Sequence, residues 1–140
     1  MNAYVDSSVV LRVLLGQRNR LTEWKRIRGM VGSALVELEC LRTLDRLRLL
    51  QTFSDKELVA RREAVFRLLA EFRIVELGRP VLSRAAQPFP LQLGTLDAIH
   101  LATALLVRDA GASDLVMATH DGALADAARA SGLPVVGSSG

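Results

Sequence analysis

Cysteine is almost absent. Cys40 is the single one in 140 residues, which excludes an internal disulfide and any zinc site built from several cysteines. Its setting, ELECLRTL, reads as an ordinary half-buried helix position. Aromatic residues make up only 4% of the chain although half of it is hydrophobic. The core is therefore Leu, Val and Ala, a composition that suits helices packed on a sheet. Lysine is also scarce: Lys25 and Lys56 are the only two among 18 basic residues. Arginine suits bidentate phosphate contacts, but GC-rich coding bias enriches arginine and alanine equally well, and the net charge of +3 permits a nucleic-acid partner without requiring one. No apolar run approaches the roughly 18 residues of a membrane span, and no basic segment precedes an apolar run at the amino terminus. A cytoplasmic protein without membrane association is expected. Neither G-x-G-x-x-G nor a P-loop occurs, so a nucleotide-binding fold lacks support.

What is present is a regular alternation. Ala3–Val5 reads as a buried strand, followed by a helix capped by Ser7 or Ser8 and closed by Gly16. A second, basic helix is expected over Asn19–Arg28, then a strand at Met30–Ala34 and a long helix at Leu35–Leu50. Ser54 and Glu57 form a capping box that opens a helix to about Glu71. Arg73–Leu77 is a short strand and Val81–Ala86 a brief helix, and Pro88 and Pro90 mark the longest irregular loop. The helix starting near Thr95 runs to Asp109, and a strand at Asp114–Thr119, a helix at Ala123–Ala130 and a strand at Leu133–Val136 complete the chain. Strands alternating with helices indicate a parallel sheet covered on both faces. One domain, 1–137, with a flexible tail, 138–140, is expected.

The stretch TLDAIHLATA, Thr95–Ala104, is apolar on almost every side yet carries Asp97 in its first turn, with Thr95 placed to cap it. A helix apolar all round is normally buried. The helix dipole favours an acid there by only about 0.3–1 kcal/mol, too little to offset burying a charge. Other acids fall at the same edge, because ligands of open parallel sheets bind at the carboxyl ends of strands. Asp6 directly follows the first strand and Asp121 closely follows the fourth; a further acid comes from the helix after the second strand, where Glu37 and Glu39 compete. Two carboxylates about 5 Å apart repel by ~3 kcal/mol at an effective dielectric of 20. A cluster of four persists only if some are protonated or a divalent cation binds. Oxygen ligation without clustered His or Cys points to Mg2+ or Mn2+, ions that activate water for phosphodiester cleavage.

VDSSVVL at Val5–Leu11, SALVELECLR at Ser33–Arg42, TLDAIHLATA, and MATHDGALADAARASGLPVV at Met117–Val136 resemble the PIN-domain family, above all its small VapC-type ribonuclease toxins. The resemblance covers nearly the whole chain in order. It implies an α/β/α sandwich with a five-stranded parallel sheet of order 3-2-1-4-5, and a Mg2+- or Mn2+-dependent endoribonuclease leaving 5′-phosphate and 3′-hydroxyl ends. It further implies the toxin half of a type II toxin–antitoxin pair, with a separate antitoxin protein as partner and a homodimer as the assembly. By motif match Asp6, Asp97 and Asp121 are catalytic, metal-binding acids. The glutamate six residues after the serine of the SAL motif is Glu39, with Arg42 in the continuation. Helical phase alone does not secure Glu39, since Glu37 lies closer to the Val36, Cys40, Leu44 and Leu47 face, and Glu39 shares a face with Arg42, where an exposed ion pair is the competing explanation; the motif favours Glu39.

Ser7 and Thr119 are placed to hydrogen-bond a carboxylate or a metal-bound water, although a helix cap explains Ser7 as well. His100, one turn from Asp97, reads as a partly buried structural histidine, and His120 is given no catalytic role. Arg18, Arg20, Lys25, Arg26 and Arg28 are candidates to grip RNA phosphates, against a solvated face or a protein contact. A phosphatase or receiver-like domain would carry a second Asp two residues after Asp6, where Ser8 stands. The rival from another class is a catalytically silent PIN-like module that acts only through protein or RNA binding.

Overall fold

The structure, a computed structural model, describes residues 1–139. Five strands, β1 (Asn2–Val5), β2 (Gly29–Ser33), β3 (Arg73–Val75), β4 (Val116–Ala118) and β5 (Val135–Val136), pair in parallel in the order β3-β2-β1-β4-β5. The helices are α1 (Ser7–Leu14), α2 (Leu35–Leu49), α3 (Asp55–Leu69), α4 (Arg79–Ala85), α5 (Thr95–Asp109) and α6 (Gly122–Ala130).

β1 is central and buried on both faces, as parallel strands between helical layers must be. Its side chains alternate between two cores. Ala3 and Val5 join Val9, Val10, Val36, Cys40, Leu44 and Val65 under α1, α2 and α3, whereas Tyr4 joins Leu101, Leu105, Met117 and Leu124 under α5 and α6. A third cluster, Leu35, Val81 and Ile99, ties α2 and α4 to α5. Nine residues of α5, Ala98–Leu105 and Val107, are buried, so the apolar helix is the internal strut that its composition predicts. The capping box of α3 forms with both of its reciprocal bonds, Glu57 N to Ser54 Oγ at 3.1 Å and Ser54 N to Glu57 Oε1 at 3.2 Å.

Four expectations need correction. No α-helix spans 19–28; only a single 3-10 turn, Trp24–Arg26, forms there. The segment has no continuous apolar face: Leu21 is buried, Trp24 and Ile27 are half-buried, and the basic side chains between them are exposed, which is too little to hold a helix. The N-cap of α1 is Asp6 rather than Ser7 or Ser8, its carboxylate accepting from the backbone of Ser8 and Val9. Thr95 does not cap α5; Gly94 holds the cap position with no side-chain bond. Cys40 is fully buried, and burial, with Glu39 and Asp6 nearby, pushes its thiol up to about 12. The expected tail 138–140 ends at Gly140, which lies outside the described residues. The carbonyl of Ser138 accepts a hydrogen bond from Arg129. Among the described residues no helix is long and apolar enough to cross a membrane.

Candidate active site

The carboxyl ends of β1 and β4 lie side by side, with Val5 in register with Ala118, and this pairing brings the first acid to the fourth strand. Asp6 is 5% exposed. Its Oδ1 accepts from Ser8 Oγ at 2.6 Å and from the Ser8 and Val9 amides at 3.1 and 3.3 Å. Its Oδ2 accepts from Thr119 Oγ1 at 2.6 Å. Burial raises the Asp6 carboxyl above its usual range, and the bonds from Ser8 and Thr119 pull against that shift. Thr119 therefore stands where the sequence predicts a supporting hydroxyl. Ser7 does not; its neighbour Ser8 makes the contact. Ser8 Oγ also accepts from the His120 amide at 2.9 Å, and Thr119 Oγ1 accepts from the Asp121 amide at 3.0 Å. Two hydroxyls thus lock the loop after β4 onto the start of α1.

Asp121 is exposed and caps α6 by accepting from the Leu124 amide at 3.0 Å. Asp97 is half-buried in the first turn of α5. Burial raises its carboxyl first, Asp121 next, and Asp6 and Glu39 add to the rise, while His100 opposes it. Three acids from three other segments thus act on Asp97, and the charge of each disfavours that of Asp97.

Between the two competing glutamates the structure is decisive about position. Glu37 is exposed, whereas Glu39 is half-buried and its Oε1 lies 2.7 Å from His100 Nε2. Arg42 does not pair with Glu39; it turns to Asp45 at 3.3 Å and stays largely exposed. His100 is 2% exposed and bridges two layers, its Nδ1 lying 2.6 Å from the Tyr4 hydroxyl. A carboxylate can only accept, so Nε2 carries the proton, and in the neutral ring the Tyr4 hydroxyl donates to Nδ1. The Tyr4–His100–Glu39 chain was not legible in the sequence as a unit. The available signal was an ionisable residue, His100, within a helix stretch that is mostly apolar and buried.

The donor set of Asp6, Glu39, Asp97 and Asp121 is all oxygen, which fits a hard divalent cation rather than zinc or copper. Among the described residues, no three His, Cys, Asp or Glu side chains stand close enough to hold an ion without moving. Asp97 and Asp121 stand at helix starts, Asp97 half-buried and Asp121 exposed. The five cations predicted to touch RNA divide. Arg18, Arg20 and Lys25 line open clefts beside this edge, Arg26 pairs with Glu23 at 3.9 Å, and Arg28 is exposed.

The PIN-domain family model matches residues 3–130. The chain belongs to the PIN-domain family. A curated relative, ribonuclease VapC46 of Mycobacterium tuberculosis, is 34% identical over 137 residues, covering 95% of both chains. Two solved structures share the PIN fold with this chain. One is a toxin–antitoxin complex from Klebsiella pneumoniae, with a TM-score of 0.66 at 19% identity over 96% of each chain. The other is the sarcin–ricin loop cleaving toxin VapC20 of Mycobacterium tuberculosis, with a TM-score of 0.61 at 18% identity over 94% of this chain and 96% of that one. The sheet order of this PIN domain is the one implied by the sequence resemblance.

Proposed function

We propose that this protein is a Mg2+- or Mn2+-dependent endoribonuclease and the toxin half of a toxin–antitoxin pair, working in the cytoplasm. The observation that carries this reading is the meeting of two strand ends, where Asp6 after β1 accepts from Thr119 after β4 and Thr119 accepts from the Asp121 amide, with Asp97 near enough that burial first, then Asp121, Asp6 and Glu39, raise its carboxyl. Such a gathering of acids at the carboxyl end of the sheet has a use when a cation and a phosphate come to it. The ribonuclease name of the VapC46 relative supports the substrate class, and the Klebsiella toxin–antitoxin complex supports the partner. A homodimer belongs to the same reading: Leu82 on α4 and Leu96 on α5 are exposed apolar side chains that a partner surface would cover.

In this scheme Asp6, Glu39, Asp97 and Asp121 would hold the ion, Asp6 and Glu39 kept in place by their hydrogen bonds. When bound, the ion lowers the pKa of a coordinated water and stabilises charge on the scissile phosphate. The residues of the chain orient the parts. Ser8 and Thr119 fix Asp6, and His100 fixes Glu39. Arg42, directed to Asp45, has no part at this edge.

Replacing Asp6 or Asp97 by Asn is expected to lower metal-dependent RNA cleavage at least 100-fold, about 2.7 kcal/mol of barrier. Undiminished cleavage by either variant would overturn the assignment. A second reading has one observation in its favour, the absence of a ready-made trio of ligands among the described residues: a silent PIN-like module that only binds RNA or protein. Calorimetry with Mn2+ separates the two, since the silent module shows no binding heat and the nuclease does.

A further inference from the structure

Beside the carboxylate edge the surface opens into a cleft of about 490 Å³, lined by Arg12 of α1, by Arg18 and Arg20 from the loop that follows, by His120, and by Gly137 after β5. A second cleft of about 550 Å³ shares Arg18, Arg20 and Leu21 with it and ends at Trp24 and Lys25. Each is of a size that holds a small ligand. The cations there are held but not neutralised. Arg12 donates to the Asn19 carbonyl at 3.2 Å and Arg20 to the Gln17 carbonyl at 3.4 Å. Among the described residues, none of Arg12, Arg18, Arg20 and Lys25 pairs with a carboxylate. The carboxylate in the first cleft, Glu23, faces Arg26 and accepts from Thr22 Oγ1.

The first cleft begins where the acids end. His120, in its wall, precedes Asp121, and its amide donates to Ser8 Oγ, which donates to Asp6. On the other side His120 Nδ1 lies 2.8 Å from the Gly137 carbonyl. That carbonyl can only accept, so Nδ1 carries the proton, and Nε2 has no partner among the described residues. Trp24, half-buried, packs against the core and lines the second cleft.

We propose that the two clefts form one track for single-stranded RNA passing the carboxylate edge, its phosphates on Arg12, Arg18 and Arg20 and a base stacked on Trp24. Guanidinium forks match phosphate oxygens bidentately, and an aromatic face set among cations is how single strands are held without sequence readout. The track rests on the nuclease reading for its direction, but its binding chemistry is testable without cleavage.

Trp24 is the single tryptophan of the chain, so its fluorescence reports the far end of the track directly. A dye-labelled single-stranded 12-nucleotide RNA is titrated into the metal-free protein in EDTA, with tryptophan fluorescence and dye anisotropy read together. The RNA is expected to quench Trp24. The R12Q/R18Q/R20Q variant should bind at least ten-fold more weakly. Its log K against log salt should lose about 2 units of slope, at ~0.7 per phosphate contact on a single strand. Lysine at the same three positions should restore most of both. R18Q/R20Q, at two exposed positions, carries the test if the triple variant does not fold, and R62Q/R67Q on α3 should bind as the wild type does. Wild-type binding by R18Q/R20Q, or unchanged Trp24 fluorescence on RNA addition, overturns the track, as does equal, arginine-dependent binding of duplex DNA. If binding behaves as expected but Mn2+ produces no cleavage, the track stands and the nuclease reading falls. If D97N loses cleavage while the arginine variants bind normally, the nuclease reading stands and the track falls.

Discussion

Asp6 shows how one carboxylate is kept in place against its own electrostatics. Burial disfavours its charge, and four donors, two hydroxyls and two amides, favour it; burial wins, since the pKa is raised. Asp97 is raised as well, by burial and by three neighbouring acids. The sign of the linkage follows. An acid whose folded pKa lies above its unfolded value binds more protons folded than unfolded, so stability falls as pH climbs from about 3.8 through the raised value. In metal-free buffer Asp97→Asn should therefore raise the melting temperature at pH 7, with the gain shrinking to nothing as pH drops below about 3.8. A lower melting temperature for the variant at pH 7 would mean that repulsion is not what Asp97 experiences. Tyr4 tests the other half of the site. Its phenol, pushed well above its ordinary value chiefly by burial, stays protonated and partners His100. Tyr4→Phe leaves His100 Nδ1 without that bond in the core, which should cost about 1–3 kcal/mol in urea unfolding.

At the scale of elements, the difference between Glu37 and Glu39 shows what periodicity can and cannot reveal. A single apolar stripe, Val36, Cys40, Leu44 and Leu47, makes Glu37 the nearer acid, and those four do face the core. But α2 is gripped on a second side as well, where Leu35 meets Val81 and Ile99. Glu39 stands four residues after Leu35 and so shares that side, which no one-helix reading exposes because it depends on where α5 passes. The parallel sheet, the buried α5 and the capping box of α3 were legible because each is written in local pattern. The basic segment after α1 was not, because its charges suit a helix that its few apolar residues cannot anchor. Gly137 carries a consequence of the same non-local kind. Its φ is +98° and a Cβ there would stand 2.6 Å from the Thr119 carbonyl. Gly137→Ala should destabilise the fold by about 1–3 kcal/mol from backbone strain alone. It should also lower cleavage beyond that loss, because the Thr119 backbone it would displace bears the hydroxyl that holds Asp6.

The whole molecule places its most strained electrostatics at one end of the sheet and its stability in the two cores on either side. Those cores do not require the acids, so relief of the repulsion should appear as added global stability. A ligand that binds only the folded state stabilises it by RT ln(1 + [L]/Kd), about 2.7 kcal/mol at one hundred times Kd. For a domain of this size that corresponds to roughly 10 °C in melting temperature. Mn2+ titrated into the wild-type protein at neutral pH should approach that rise. The Asp97→Asn/Asp121→Asn variant begins from a higher melting temperature, with like charge already removed, and should gain almost nothing from the ion. The crossing of the two curves is the informative result: wild type less stable without metal and catching up with it. Parallel curves would mean that the ion binds elsewhere, and a flat wild-type curve would return the four acids to the silent reading.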